Sequence, residues 1–485
     1  MEPTSLTQWI DDLLSFGPRR PGQDAGHQTE DYLGKAFRNI GLQDVKKEEI
    51  PIRNWIESSW FLKIKTDGGA FKELPSHFIP YTTFTDQPVT APLIYAGEGK
   101  ITDIQGLDFK DKIVVVEFPF PMLEGGKLSK LALSVIDPEK KLPAGPVHEA
   151  TWIRPAWHVY HKAVAAGAKG FIGILVNQPG GFDSYYAPYG FKEGDAIHKK
   201  PIPGFWVGRD AGKKLAEMAR GGREAQIDLK GKSVESHTAN ILGYIYGKTN
   251  ETIIIASHHD SPFDGAVEDA SGMSVVLQIA KSLVDKGIKP EKNLLFMATG
   301  GHFYGSIGTR TFIHSHPEII KDTVAEIHIE HIGLEAKEVN GKLEIADNPE
   351  PMALFVPYNK KCVQLGSEVL RVNNIDPTLL LPAEGPLGPF PPTDGGDFHL
   401  EGIPVFNLIS NPVYLLVDFD KREHVCFERL VPVAKALESL VLNLDKVNKN
   451  ELRRKAYFLK RLIGKYASWK TARKIKKIHG KDVTI

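Results

Sequence analysis

The sequence predicts an α/β protein built on a mostly parallel sheet with helices on both faces. Short runs rich in Val and Ile alternate with segments of helical periodicity through the second half of the chain. The run Ile253-Ile254-Ile255-Ala256 is apolar at every position, as in a strand covered on both sides. It ends in Ser257-His258-His259-Asp260, and open α/β sheets build their sites at such strand ends.

Taken in order, residues 5–40 read as helical, with Trp9, Ile10, Leu13 and Leu14, then Tyr32, Leu33, Phe37 and Ile40 at helical spacing. A turn cluster, Phe16-Gly17-Pro18-Arg19-Arg20-Pro21-Gly22, divides them. Residues 112–116 and 171–176 read as strands, the latter after a helix ending near Gly167, and 203–208 as a strand before a short helix. The pattern then runs strand 252–257, helix 270–286, strand 293–299, helix 305–315, strand 324–330, helix 360–372, strand 404–409 and helix 427–445. Residues 382–397, rich in Pro and Gly, read as a loop leading into Phe398. Leu452, Ala456, Leu459, Ile463 and Tyr466 step by three and four, predicting an amphipathic helix suited to docking on its own domain or on a second copy.

Composition narrows the class. At 42% hydrophobic and 25% charged residues, the 485-residue chain is ordinary for a globular protein of two to four domains. No apolar run reaches the roughly 20 residues that span a bilayer, and the start lacks the basic and apolar regions of a secretory signal. Cys362 and Cys426 are too few for a disulfide framework or a zinc-thiolate cage. The expected location is cytoplasmic, and no nucleic-acid partner is expected. Charge is uneven: residues 449–485 hold 13 Lys/Arg against 2 Asp/Glu, which suits an acidic partner or a membrane surface.

The motifs, in order, resemble the zinc aminopeptidase and glutamate carboxypeptidase family. Its metal motifs read His-x-Asp, then Gly-Ala-x-Asp-Asp/Asn-Ala-Ser-Gly; here stand His258-His259-Asp260 and Gly265-Ala266-Val267-Glu268-Asp269-Ala270-Ser271-Gly272. The turn cluster at 16–22 is similar to the family's Phe-Gly-x-Arg-x-x-Gly opening. The middle of the chain resembles the family's protease-associated domain, a lid or substrate wall. The resemblance implies a discontinuous catalytic domain (1–90 and 236–447), a protease-associated-like β/α insert (91–235) and a basic helical tail (448–485).

In the resembled family two divalent ions share a bridging Asp. One also takes the first His and a second Asp; the other takes a Glu and a late His, and the Glu preceding that ligand is the general base. The resemblance puts His258 at the first His, Glu268 at the bridging Asp, and Glu330, in Ile327-His328-Ile329-Glu330-His331-Ile332-Gly333, at the second Asp. Asp260, Asp269 and Asp394 become supporting carboxylates or alternative ligands, Asp269 lying one register step from Glu268. The other ion loses its private ligands. Gly301-His302-Phe303-Tyr304-Gly305 puts His302 at the general base and Phe303 at the ligand Glu, and Gly395 replaces the late His. Asp397 or His399 would restore a second site only after a loop shift.

The expectation is therefore one divalent metal. Zinc is favoured by the resemblance, and iron(II) and manganese also accept this donor set. His302 is expected as general base, with a fourth metal ligand as its alternative. Phe303, Tyr304, Phe398 and His424 are pocket candidates, with Trp206 near them. His314, His316, His328 and His331 match no motif and read as structural or surface residues.

The expected function is metal-dependent hydrolysis of an amide or related bond in a specialised small-molecule or peptide-like substrate, with weak general aminopeptidase activity. The runner-up is a lyase or isomerase acting on a metal-chelating, aromatic small molecule. The third reading is an inactive binding protein.

Overall fold

The computed structural model describes residues 3–152, 157–186, 202–385, 387–388 and 390–452. The amphipathic helix expected beyond Leu452 lies outside the described residues.

Four parallel strands form the centre, in the order Asn293–Thr299, Thr252–His258, Thr323–Glu330, Val405–Ser410. Met352–Val356 then adds antiparallel, and Thr378–Pro382 parallel to it. Alternation along Ile253–Ala256 shows why the run is apolar throughout. Ile253 and Ile255 enter the larger core with Val275 and Leu437, whereas Ile254 and Ala256 enter a second core with Phe312 and Phe398. Helices Gly272–Asp285 and Phe427–Leu444 thus cover one face, and Ile307–Ser315 and Gly395–Leu400 the other. Among the described residues no helix is long and apolar enough to cross a membrane.

The middle of the chain builds its own parallel strands, Val89–Tyr95, Ile113–Phe118, Gly170–Leu175 and Gly204–Gly208. They are not insulated from the main sheet. The 22-residue strand Glu224–Ile245 pairs with Val89–Tyr95 at one end and with Asn293–Thr299 at the other. Gln43–Lys65 runs antiparallel along it. The expected boundaries at 90/91 and 235/236 both fall inside strands, and Ser134–Ile136 extends the main sheet beside Thr378–Pro382. A long twisted strand can serve two sheets, so hydrogen bonding here does not follow the division read from the sequence.

Candidate metal centre

The loop after Thr252–His258 is held from three sides. Arg19 is buried, and its guanidinium donates to the carbonyls of His259 (3.0 Å), Asp264 (2.7 Å) and Gly265 (2.7 Å). Burial lowers its pKa to about 10 against the pull of Asp420, Asp269, Asp260 and Glu268, so it stays a cation. Asp420 accepts the amides of Val267 and Glu268, at 3.0 and 2.9 Å. Gly265 sits at φ +63°, where an added Cβ would meet the Glu268 carbonyl at 2.2 Å. The Glu268–Asp269 peptide is cis.

This scaffold brings His258, Glu268, Glu330 and His331 together, each 2% exposed or less. His258 Nε2 lies 3.2 Å from Glu268 Oε1, and His331 Nε2 lies 2.5 Å from Glu268 Oε2 and 3.8 Å from Glu330 Oε2. Two overlapping groups have one donor atom per residue within 4.8 Å of the others: His258, Glu330 and His331, and His258, Glu268 and His302. His328 lies beside them, with Nε2 3.0 Å from Glu330 Oε1 and Nδ1 2.8 Å from Glu326 Oε1.

Asp269 and Glu268 play different parts. Asp269 Oδ1 accepts the amides of Gly272 (3.1 Å) and His331 (3.0 Å), and Oδ2 accepts the Ser257 hydroxyl at 2.5 Å. Both Glu268 oxygens and both Glu330 oxygens are buried and face the ring nitrogens of His258, His328 and His331 in the cluster, with no backbone amide or hydroxyl bonded to them. Asp260 spans the amides of His302 (3.0 Å) and Phe303 (3.1 Å), fixing the next loop.

His302 stacks on His258, with ring centroids 4.0 Å apart and planes 9° apart. Its Nδ1 is 2.7 Å from Asp394 Oδ1, and Asp394 Oδ2 accepts the hydroxyls of Thr299 and Thr309. Stacked parallel rings keep their lone pairs in separate parallel planes, so this pose does not aim both imidazoles at one point. Phe303 and Gly395, the positions that the resemblance gives to the second ion's private ligands, are tightly packed. Phe303 packs edge-on against Tyr186 (5.9 Å) and His302 (5.0 Å). A Cβ at Gly395 would meet Asn407 Nδ2 at 2.1 Å and Glu326 Oε2 at 2.8 Å. His399 pairs with Glu384 at 3.0 Å.

Without an ion the cluster is held by charge. Burial opposes protonation of His258 and His331, but the hydrogen bond to Glu268 and the charges of Glu268, Asp269 and Glu330 outweigh it. His258 is pushed well up, and His331 to about 9. Burial raises Glu268, yet His331 and His258 bring it well below the usual carboxylate range. The donors fit a divalent cation in place of these protons. His258 Nδ1 lies 3.0 Å from the Asp260 carbonyl and His331 Nδ1 lies 3.1 Å from that of Ser410, an arrangement that presents Nε2 lone pairs to a metal.

His258, Glu268 and Glu330 thus lie in one buried cluster, Glu268 and Glu330 in different donor groups, with His302 and Asp394 alongside and Asp260 and Asp269 as backbone-binding supports. Some expectations need correction. His328 and His331, read as structural or surface, are buried in the cluster; the signal available was that both flank Glu330. Phe398 is 0% exposed in the second core beside Phe312, because its helix faces the other side of the sheet. Trp206 lies within the larger core, against Phe118 and Tyr185. His424 stacks on Phe419 at 4.8 Å. Tyr304 donates to the Arg53 carbonyl and packs edge-on to Tyr81 at 5.2 Å. Tyr186 and Asp420 reach the site from parts of the chain without a matched motif.

Comparison with known proteins agrees with this architecture. The family model described as peptidase family M28 matches residues 240–412. Among curated relatives, aminopeptidase NAALADL1 of Mus musculus is 28% identical over 116 residues, 22% of this chain and 16% of that protein. Transferrin receptor protein 2 of Homo sapiens is 27% identical over 86 residues, 17% of this chain and 11% of that protein. The matched stretches thus span less than a fifth of these relatives' lengths. Solved structures match nearly end to end. A zinc aminopeptidase from Bacillus subtilis gives a TM-score of 0.65 at 20% identity, covering 93% of this chain and 98% of that one. A peptidase M28 precursor from Shewanella amazonensis gives 0.66 at 18% identity, covering 93% and 95%. The peptidase family M28 model thus matches residues 240–412, and the chain is built on the zinc aminopeptidase fold.

Proposed function

We propose that this chain is a metal-dependent, peptidase-like hydrolase holding one divalent ion with His258, Glu268 and Glu330. The observation that carries the proposal is the buried cluster of imidazole and carboxylate donors that face one another at and just beyond the C-terminal ends of parallel strands. Four carboxylate oxygens placed so are costly unless a cation meets them. Zinc is favoured by similarity to zinc aminopeptidases, and iron(II) and manganese accept the same donors. A bound ion would polarise a carbonyl and lower the pKa of a water.

The protein's own contribution centres on His302. Asp394 binds Nδ1, which orients the imidazole and leaves Nε2 as the atom that takes up a proton. Phe303 and Tyr186 form an aromatic wall beside it, suited to an apolar or aromatic group of a peptide-like substrate. No feature among the described residues favours the lyase or isomerase reading. Replacement of the family's base and second-ion ligands by His302, Phe303 and Gly395 favours, as a second reading, a metal-binding protein without turnover.

Elemental analysis and a panel of free and N-acylated peptides test both. The expected result is one ion per chain, lost in His258→Ala, with selective cleavage of blocked or otherwise specialised amides and weak general aminopeptidase activity. One ion and no cleavage across the panel supports the second reading. Two tightly bound ions, or none, refutes the single-ion site.

A further inference from the structure

We infer that His331 is a fourth protein ligand of the ion, making the centre a two-histidine, two-glutamate site. This deepens the single-ion reading above and rests on it. Motif transfer supplies only one imidazole, because the residue after the second acidic ligand carries no ligand role in the resembled family.

The local structure around His331 is organised to aim its ring inward. The residue sits at φ +56°, uncommon for a residue other than glycine. Two groups hold it there. Its amide donates to Asp269 Oδ1 at 3.0 Å, and its carbonyl accepts the Ser410 hydroxyl at 2.5 Å. Ser410 also supplies the carbonyl facing Nδ1 at 3.1 Å, which fixes the tautomer that leaves Nε2 as the lone-pair atom. His258 is held in the same way by the Asp260 carbonyl. Both rings thus present Nε2 to Glu268, one to each carboxylate oxygen, with their planes 80° apart. Unlike the parallel His258–His302 stack, these two rings approach one carboxylate from different directions. At 2% exposure His331 has no surface role. Asp269 gains a specific part here: it positions the backbone that delivers His331.

A fourth protein ligand has a chemical consequence. Four donors complete a tetrahedral zinc site and leave no position for water or substrate. A reactive ion here must accept five or six ligands, as cobalt(II), iron(II) and manganese(II) commonly do. The centre therefore differs from a three-ligand zinc hydrolase site in coordination number as well as in ligand identity.

The test uses the full chain loaded with Co(II) or Zn(II), with affinity measured against a competing chelator and coordination read from the visible bands of the Co(II) protein. His331→Ala is compared with His331→Asn, since Asn tolerates the left-handed backbone, and circular dichroism checks folding. We expect the Co(II) wild type to show the weak bands of a five- or six-coordinate ion. Both variants should shift those bands and weaken both metals at least 10- to 100-fold, the loss seen when groups that merely support a ligand are removed. Unchanged affinity and bands in folded His331→Asn, with binding lost in His258→Ala, would overturn the His331 assignment and leave the single-ion reading standing. Intense tetrahedral bands in the wild type would overturn the open-coordination consequence. Failure of the wild type to bind Co(II) or Zn(II) would remove the single-ion reading itself.

Discussion

Restoring the family's missing ligands should fail, and the structure says by how much. The double variant Phe303→Glu, Gly395→His places both private ligands of the second ion back in register. At residue 395 the first added carbon would lie 2.1 Å from Asn407 Nδ2 and 2.8 Å from Glu326 Oε2, before any ring atom is placed. Asn407 and Glu326 are both 0% exposed, so neither moves into solvent. Overpacking of this kind costs about 1–3 kcal/mol. At residue 303 a carboxylate would replace a ring packed against Tyr186 and His302, adding a buried polar group that needs a partner, at roughly 1–3 kcal/mol. Together the loss is about 2–6 kcal/mol, a large part of the roughly 5–15 kcal/mol that holds most domains. Denaturant unfolding reads the stability, and elemental analysis after dialysis against buffered zinc reads the stoichiometry. A variant that binds a second tight ion at wild-type stability would refute the argument that this half of the site is closed.

Two further outcomes follow. His302→Ala should reduce turnover of the enzyme's substrate about 100- to 10,000-fold, the usual worth of a positioned general base, with metal content unchanged; loss of the metal would instead identify His302 as a ligand. His148 gives the pH dependence. Burial opposes its charge, but Glu350 at 2.7 Å outweighs this and pushes it up to about 9. With the folded pKa above the unfolded value of 6.5, this contact's stabilisation is fully present below about pH 6.5 and is lost as pH rises through 9. The shift corresponds to about 3 kcal/mol, an order-of-magnitude figure. The stability difference between wild type and His148→Gln should therefore be largest near pH 6 and shrink toward pH 10; a flat difference would count against the pairing.

The sheet's centre was legible because burial on both faces writes a continuous apolar run, and each run read at 252–257, 293–299, 324–330 and 404–409 is a strand in the structure. Gln43–Lys65 and Glu224–Ile245 were not read as long strands. They pair mainly with each other; Gln43–Lys65 is largely exposed or half-buried, and the exposed polar middle of Glu224–Ile245 separates two buried ends, so neither carries one continuous hydrophobic pattern. His258, Glu268 and Glu330 were readable because glycines and small residues around them fix the register. Tyr186, Asp420 and Arg19 act across long sequence separations, and only closure of the chain shows what Asp420 and Arg19 hold.

One balance connects the losses and gains at this site. Asp260, Glu268, Asp269, Glu326, Glu330, Asp394 and Asp420 are all buried, and Arg19 is the buried cation that reaches the loop among them. Burial pushes Asp420 up to about 7, and the charge of Glu268 adds to the shift. His258, His302, His328 and His331 lie among the same carboxylates. Protonated, His258, His328 and His331 offset the charge of the acids; in the proposed centre, deprotonated His258 and His331 would present Nε2 to an ion whose double charge takes over the same task. The resembled family divides that task between two ions. Here Phe303 and Gly395 stand at the positions the resemblance gives to the second ion's private ligands, and histidines stand at 328 and 331 beside Glu330. On this reading the added histidines and the missing second ion are one change: imidazoles supply charge and donors that a second metal supplied elsewhere.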